Sequence, residues 1–152
     1  MAYVQTALLS RPTPANTDYA AYLVWVAAGN TATPVPNTTI VAQQQAAVAA
    51  MRDNRWQNGG FPVGSQWFYS DDRSYIRLLG MVQLAANLPA GLTINCMDGT
   101  NTPLTPALTM SMFTAALTQE SATFAACLTI QAAVAANPST DITQGWPKIY
   151  GE

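Results

Sequence analysis

The chain has 152 residues, enough to bury one real core, and its six basic and eight acidic residues leave a net charge of −2. It has no histidine, which removes the usual general base, the usual metal ligand and any Ser-His or Cys-His pairing. Only 9% of residues are charged, against about a quarter in an ordinary globular domain. Nucleic-acid binding is not expected, because Arg52, Arg55, Arg73 and Arg77 are interleaved with Asp53, Asp71 and Asp72 and form no basic stripe. No apolar run reaches the roughly 18 residues of a membrane span, and the start MAYVQTALLSRPTPANTDY lacks a basic stretch ahead of an apolar one, so no targeting signal is expected. Cys96 and Cys127 are too few for a disulfide framework and read as buried free thiols. A surface of Ala, Thr, Gln, Asn and Ser suits a protein that spends its life packed against neighbours.

Residues 1–39 read as an N-terminal arm, because Pro12, Pro14, Pro34 and Pro36 interrupt any long element. One short helix is expected inside it, from Thr17 to Asn30, capped by Thr17 or Asp18 and closed by Gly29. Its aromatic face needs something to pack on, and the stretch with Pro12 and Pro14 reads as extended. Residues 40–137 read as a compact helical domain. A helix over 39–57 carries Val41, Gln44, Val48, Met51 and Arg55 on one stripe, and Asn58-Gly59-Gly60 stops it. FPVGSQWFY then has the alternation and aromatics of a short hairpin turning near Val63-Gly64-Ser65. Ser70-Asp71-Asp72 caps a helix from Arg73 to Asn87, with Tyr75, Leu78, Leu79, Val82 and Ala86 at helical spacing.

Leu92 to Leu104 reads as a second hairpin, with Asp98-Gly99 supplying the positive φ angles of a two-residue type I′ turn. Thr105-Pro106 is an N-cap followed by proline at the first helical position. The helix it starts runs to Ala136, where Asn137-Pro138 closes it, and its expected core stripe is Met110, Phe113, Leu117, Phe124, Leu128 and Ala135. Such a helix is about 45 Å long, so one end is expected to project or to meet a partner. Residues 138–152 read as a C-terminal strap anchored by Trp146, Pro147, Ile149 and Tyr150. The expected fold class is therefore mainly α with small β-hairpins: three core helices, one of them long and C-terminal, an extended N-terminal arm and a C-terminal strap.

No catalytic constellation emerges, and an enzyme is not expected. INCMDGTNT holds one carboxylate, Asp98, whereas a calcium loop needs several oxygen ligands and a closing acid. Cys96 has no nearby cation or histidine to activate it. Asp71 and Asp72 could pair with each other or with Glu120 for acid–base work, but adjacent acids at a helix start read as capping groups. Trp67-Phe68-Tyr69 could stack a sugar or a base, and more often such a run covers a small core. No metal or cofactor is implied.

Two regions together carry a family resemblance. Residues 22–34 give an aromatic helix followed by a Gly-Asn-Thr and proline exit. From about Arg52 to Pro147 the order is Gly60, Trp67-Phe68-Tyr69-Ser70-Asp71, Leu78-Leu79, Met97-Asp98-Gly99, Leu104-Thr105, a long alanine-rich helix and Gly145-Trp146-Pro147. That order resembles a phage-encoded domain of unknown function in tail and tail-fibre-associated proteins. The resemblance implies a structural component of a bacteriophage tail, near the fibre or baseplate. It would be assembled in the host cytoplasm and carried in the virion. Its partners would be further copies of the chain, a trimer by analogy with fibres, and other tail or fibre proteins. Tyr19, Tyr22, Trp25, Phe124, Trp146 and Tyr150 are the expected subunit contacts. The alternatives are a tail-fibre assembly chaperone absent from the finished particle, a capsid decoration or connector protein, and a small hydrolase.

Overall fold

The structure, a computed structural model, describes residues 17–31 and 36–152. The expected extended stretch with Pro12 and Pro14, and the break at Pro34, lie outside the described residues. The chain divides into two units, Met1–Ala42 and Gln43–Glu152. The described elements are α1 (Thr17–Ala27), α2 (Asn37–Gly59), β1 (Phe61–Val63), β2 (Gln66–Phe68), α3 (Asp72–Leu84), β3 (Thr93–Asn95), β4 (Asn101–Pro103) and α4 (Pro106–Ala136), with a 3-10 turn at Ala85–Asn87.

This corrects the expected fold class. Among the described residues there are four α-helices rather than three, together with two separate two-stranded antiparallel hairpins. The physical reason lies in α1 and α2. α1 is a full 11-residue helix. α2, although 23 residues long, buries only Val48 and Gly59, so it does not serve as a core helix along its length.

In the first unit, Tyr19, Tyr22 and Trp25 stand three residues apart on α1 and form a ladder of rings, with centroids 6.3 and 6.2 Å apart. Gly29, at φ 85°, turns the chain out of the helix while its N–H donates to the Val26 carbonyl at 2.9 Å.

In the second unit the core gathers Phe61 and Phe68 from the first hairpin, Leu78 from α3, Cys96 and Leu104 from either end of the second hairpin, and Met112 and Ala116 from α4. Phe61 and Phe68 are register partners and their rings stack at 6.0 Å. On α3, Leu78 is buried, but Leu79 and Ala86, expected on the same inner stripe, are exposed. Fully burying a side chain the size of Phe or Met contributes about 1.5–3 kcal/mol before ordering costs, so a handful of such residues must hold this unit together.

The turn of the second hairpin is wider than two residues. The Cys96 N–H donates to the Thr100 carbonyl at 2.8 Å and the Gly99 N–H to the Cys96 carbonyl at 3.0 Å. Asp98 accepts from both the backbone N–H and the hydroxyl of Thr100, an arrangement that its short side chain favours over a tight type I′ turn. Gly99, at φ 83°, supplies the left-handed residue. The Met97 N–H reaches the Trp67 carbonyl at 2.8 Å and ties the two hairpins together.

Residues 138–152 fold back on the same unit. The Tyr150 N–H donates to the Gly59 carbonyl at 2.8 Å, and Gln119 on α4 donates to the Lys148 carbonyl at 2.8 Å. Gly59 sits directly under Ile149, where any side chain would collide with it. Next to it Gly60 has φ 70°, and a Cβ there would stand 2.6 Å from the Phe68 carbonyl oxygen. The consecutive glycines are thus required by close approach on one side and by backbone conformation on the other.

Candidate functional site

α4 is the longest element, 31 residues. Thr105 caps it, its hydroxyl accepting from the Leu108 N–H at 3.1 Å, and Pro106 follows. Its buried residues are Thr109, Met112, Ala116, Thr123, Cys127, Ile130 and Val134. The stripe expected to be core, Met110, Phe113, Leu117, Phe124, Leu128 and Ala135, is displaced from six of these by one residue each. One residue is a rotation of about 100° about the helix axis, which turns the expected core stripe towards solvent. Met110 is 48% exposed, Leu117 42%, Phe124 46% and Leu128 67%; Phe113 is half-buried and Ala135 exposed.

Two properties let small, partly polar residues face inward here. Ala116 and Cys127 allow neighbouring elements to come close, and α4 lies against both α3 and β1. The buried threonines satisfy their own hydroxyls: Thr109 donates to the Thr105 carbonyl at 3.0 Å and Thr123 to the Gln119 carbonyl at 2.8 Å. Neither brings an unpaired polar group into the interior.

The outward side of α4 is therefore a long, uncharged face. Thr114, Thr118, Ser121, Ala122 and Ala125 lie between the exposed Met110 and Leu117 and the exposed Phe124 and Leu128. Large and small side chains alternate along it. The one acidic or basic residue on the helix, Glu120, is half-buried. Near it Tyr75 has its phenol pKa raised, first by burial and then by the Glu120 charge.

The other expected contact residues fall into two groups. Tyr19, Tyr22 and Trp25 form the half-buried ring ladder on α1, with Leu23, Val24 and Val26 exposed on the same helix. Phe124, Trp146 and Tyr150 belong to the second unit and each meets its own chain. Phe124 lies under the Arg52 guanidinium at 4.9 Å. The Trp146 indole N–H donates to the Ile142 carbonyl at 2.8 Å, and Arg55 stands 5.9 Å from its ring. Tyr150 meets Trp67 edge-on at 6.3 Å. Arg55 also holds the Glu152 carboxylate with two nitrogens, at 3.1 and 2.7 Å, and the side-chain hydrogen bonds from Arg55 hold the Glu152 pKa below the usual carboxylate range.

The residues weighed as chemical groups are occupied structurally. Asp71 accepts from the Ser74 N–H at 3.1 Å, a helix cap, and hydrogen bonding to Ser74 lowers its pKa. Asp72 accepts from the Gln57 amide at 2.7 Å. The Cys96 thiol is buried beside the Thr102 hydroxyl at 3.4 Å. Among the described residues no group of three or more His, Cys, Asp or Glu is placed to hold a metal ion, and no helix is long and apolar enough to cross a membrane.

A small helical domain buttressed by two hairpins, with one long uncharged helix face turned outward, is the class of protein this geometry defines. Residues 39–144, more than half of the chain, match the family described as a domain of unknown function, DUF4376, and the chain belongs to that family. The family is often found in phage contexts. No curated protein and no solved structure matches the chain.

Proposed function

We propose that this protein is a non-enzymatic structural component of a bacteriophage tail, close to the fibre or baseplate, that works by subunit contacts through the outer face of α4. The occupant of that face is a further copy of the same chain. One observation carries the proposal: Met110, Leu117, Phe124 and Leu128, the large apolar residues of α4, are exposed on a helix with no charge on its outer side. Exposed residues of this size in a continuous row mark an association surface. The solvent-facing half of a helix about 45 Å long and about 10 Å across presents roughly 700 Å², close to the roughly 800 Å² per partner of a standard interface. Among the described residues the only cation over the row, Arg52 on Phe124, is paired with Asp53, and the alternation of large and small side chains lets the ridges of one copy enter the gaps of another. By analogy with fibres, the oligomer would be a trimer. The phage setting of the family supports a place in the virion tail, with assembly in the host cytoplasm beforehand.

Sedimentation velocity of the purified chain, beside Leu117→Glu, tests the contact. The expected result is a defined oligomer that becomes monomeric in Leu117→Glu with its melting transition retained. A chain that stays monomeric at tens of micromolar, in the ordinary range for specific association, sinks the proposal. Peptide mass spectrometry of density-banded particles tests the placement. Stoichiometric presence against a major tail protein supports a structural role; absence, with abundant protein in the infected-cell lysate, favours the assembly chaperone instead.

A further inference from the structure

The four arginines of the second unit divide into two pairs. Arg52 and Arg55 are committed within the chain, to Asp53 at 2.7 Å and to Glu152 at 2.7 Å. Arg73 and Arg77, one turn apart on α3, have no ion-pair or side-chain hydrogen-bond partner among the described residues. The acids that precede them in sequence form no ion pair with them: Asp71 caps Ser74 and Asp72 accepts from the Gln57 amide.

Arg73 and Arg77 both line one cleft of about 530 Å³, within the roughly 300–1,000 Å³ of small-molecule sites. Its floor is apolar, from Phe61, Phe68 and Met112 of the core. Its rim is polar: Asp71 and Ser74 at the start of α3, and Thr93 and Asn95 on β3. Tyr69, 44% exposed, adds an aromatic wall.

We infer that this cleft binds a saccharide of one or two rings that carries a carboxylate. Two arginines at i and i+4 lie about 5–6 Å apart at their Cβ atoms, a spacing from which two planar forks can close on one carboxylate. A bare anion would use those forks alone and leave the rest of the rim idle. The Asp71 carboxylate accepts sugar hydroxyls, Asn95, Thr93 and Ser74 exchange hydrogen bonds with them, and the Tyr69 ring offers a flat apolar surface to a sugar face. Asp71 lines the same cleft, but the two guanidiniums outnumber it, so the lining favours the acidic sugar over its neutral counterpart. The site needs only the second unit and is independent of whether α4 pairs with other copies.

The test is titration of the full-length protein with digalacturonate, galactobiose and sodium acetate, followed by amide chemical shifts to about 10 mM ligand, a range that captures millimolar binding. The expected result is saturable shifts for residues 69–81 and 93–95 with digalacturonate, and binding about tenfold or more weaker with galactobiose and with acetate, as charge-assisted contacts imply. Arg73→Gln with Arg77→Gln should lose the preference for the acidic sugar, and Tyr69→Ala should weaken both sugars. No saturable binding of digalacturonate, equal binding of the neutral sugar, or acetate binding as tightly as digalacturonate would each overturn the inference. The comparison of ligands on the unaltered protein holds whatever the variants do to folding.

Discussion

Two stripes of α4, one residue out of step, divide the labour of the helix. The inner one is Thr109, Met112, Ala116, Thr123, Cys127, Ile130 and Val134; the outer one is led by Met110, Leu117, Phe124 and Leu128. The outer stripe is the bulkier and more apolar of the two. In an isolated domain the order would be reversed, because burying the larger side chains gains more. A helix that spends threonine, alanine and cysteine on its own core and turns its largest residues outward makes one close contact inside the chain and leaves its outer side open for the second contact proposed above.

The largest effect should separate the stripes directly. Met112→Ala, at a residue only 2% exposed, should cost about 2–5 kcal/mol by leaving a cavity. Leu117→Ala should cost the monomer less than about 1 kcal/mol. Urea denaturation at a concentration where the chain is monomeric measures both, and equal losses would break the comparison. Next in size, enlarging a small inner residue should hurt where enlarging an outer one does not. Ala116→Leu, at a fully buried site, should cost about 1–3 kcal/mol by overpacking, whereas Ala122→Leu, exposed on the outer side, should stay within about 0.5 kcal/mol. The two melting temperatures decide it.

The sequence revealed where α4 begins and ends and not which way it faces. Thr105-Pro106 and Asn137-Pro138 are local signals, set by backbone chemistry within a few residues, and the helix stops where they stand. Its phase depends on what packs against it, and ranking residues by hydrophobicity picks the outer stripe because Met110, Leu117 and Phe124 outrank Thr109, Ala116 and Thr123. The one available cue was the regular recurrence of small residues at Thr109, Ala116 and Thr123, the two threonines having hydroxyls that can bond one turn back. Both hairpins announce themselves by alternation around glycine, but the wider second turn follows from Asp98 bonding Thr100, a competition that the Asp-Gly pair alone does not resolve. The docking of Ile149 on Gly59 joins residues far apart in sequence and leaves no trace except two adjacent glycines. Arg73 and Arg77 read as neutralised by their neighbours, and only the structure shows those acids turned to other donors.

A smaller effect tests why threonine is tolerated inside. Thr123→Val keeps the shape and removes a hydroxyl that bonds only its own helix, so stability should change by no more than about 1 kcal/mol. Thr123→Asn, whose amide is larger and needs partners that the site does not provide, should lose more than the valine variant in the same denaturation series. If valine proves the worse of the two, the hydroxyl has a second role that its bond to Gln119 does not explain.

The smallest expected effect separates fold from association by pH. Asp71, Asp98, Asp141 and Glu152 all have carboxyl pKa values lowered by hydrogen bonds, from Ser74, Thr100, Thr143 and Arg55 respectively. A group whose folded pKa lies below its unfolded one contributes its full stabilisation above the unfolded value. That contribution is lost as pH falls through the folded one, because the unfolded chain then binds the proton more readily. Monomer stability should therefore be level from pH 7 to about 5 and decline below the ordinary carboxylate range near pH 4. None of these four acids lies on α4, so subunit association measured by sedimentation between pH 5 and 7 should be flat, and only weakly sensitive to salt, because the guanidinium over the outer stripe, Arg52 on Phe124, is paired with Asp53. A steep pH or salt dependence of association in that window would place the contact elsewhere on the surface, among charged residues, and would leave the outer stripe of α4 without its partner.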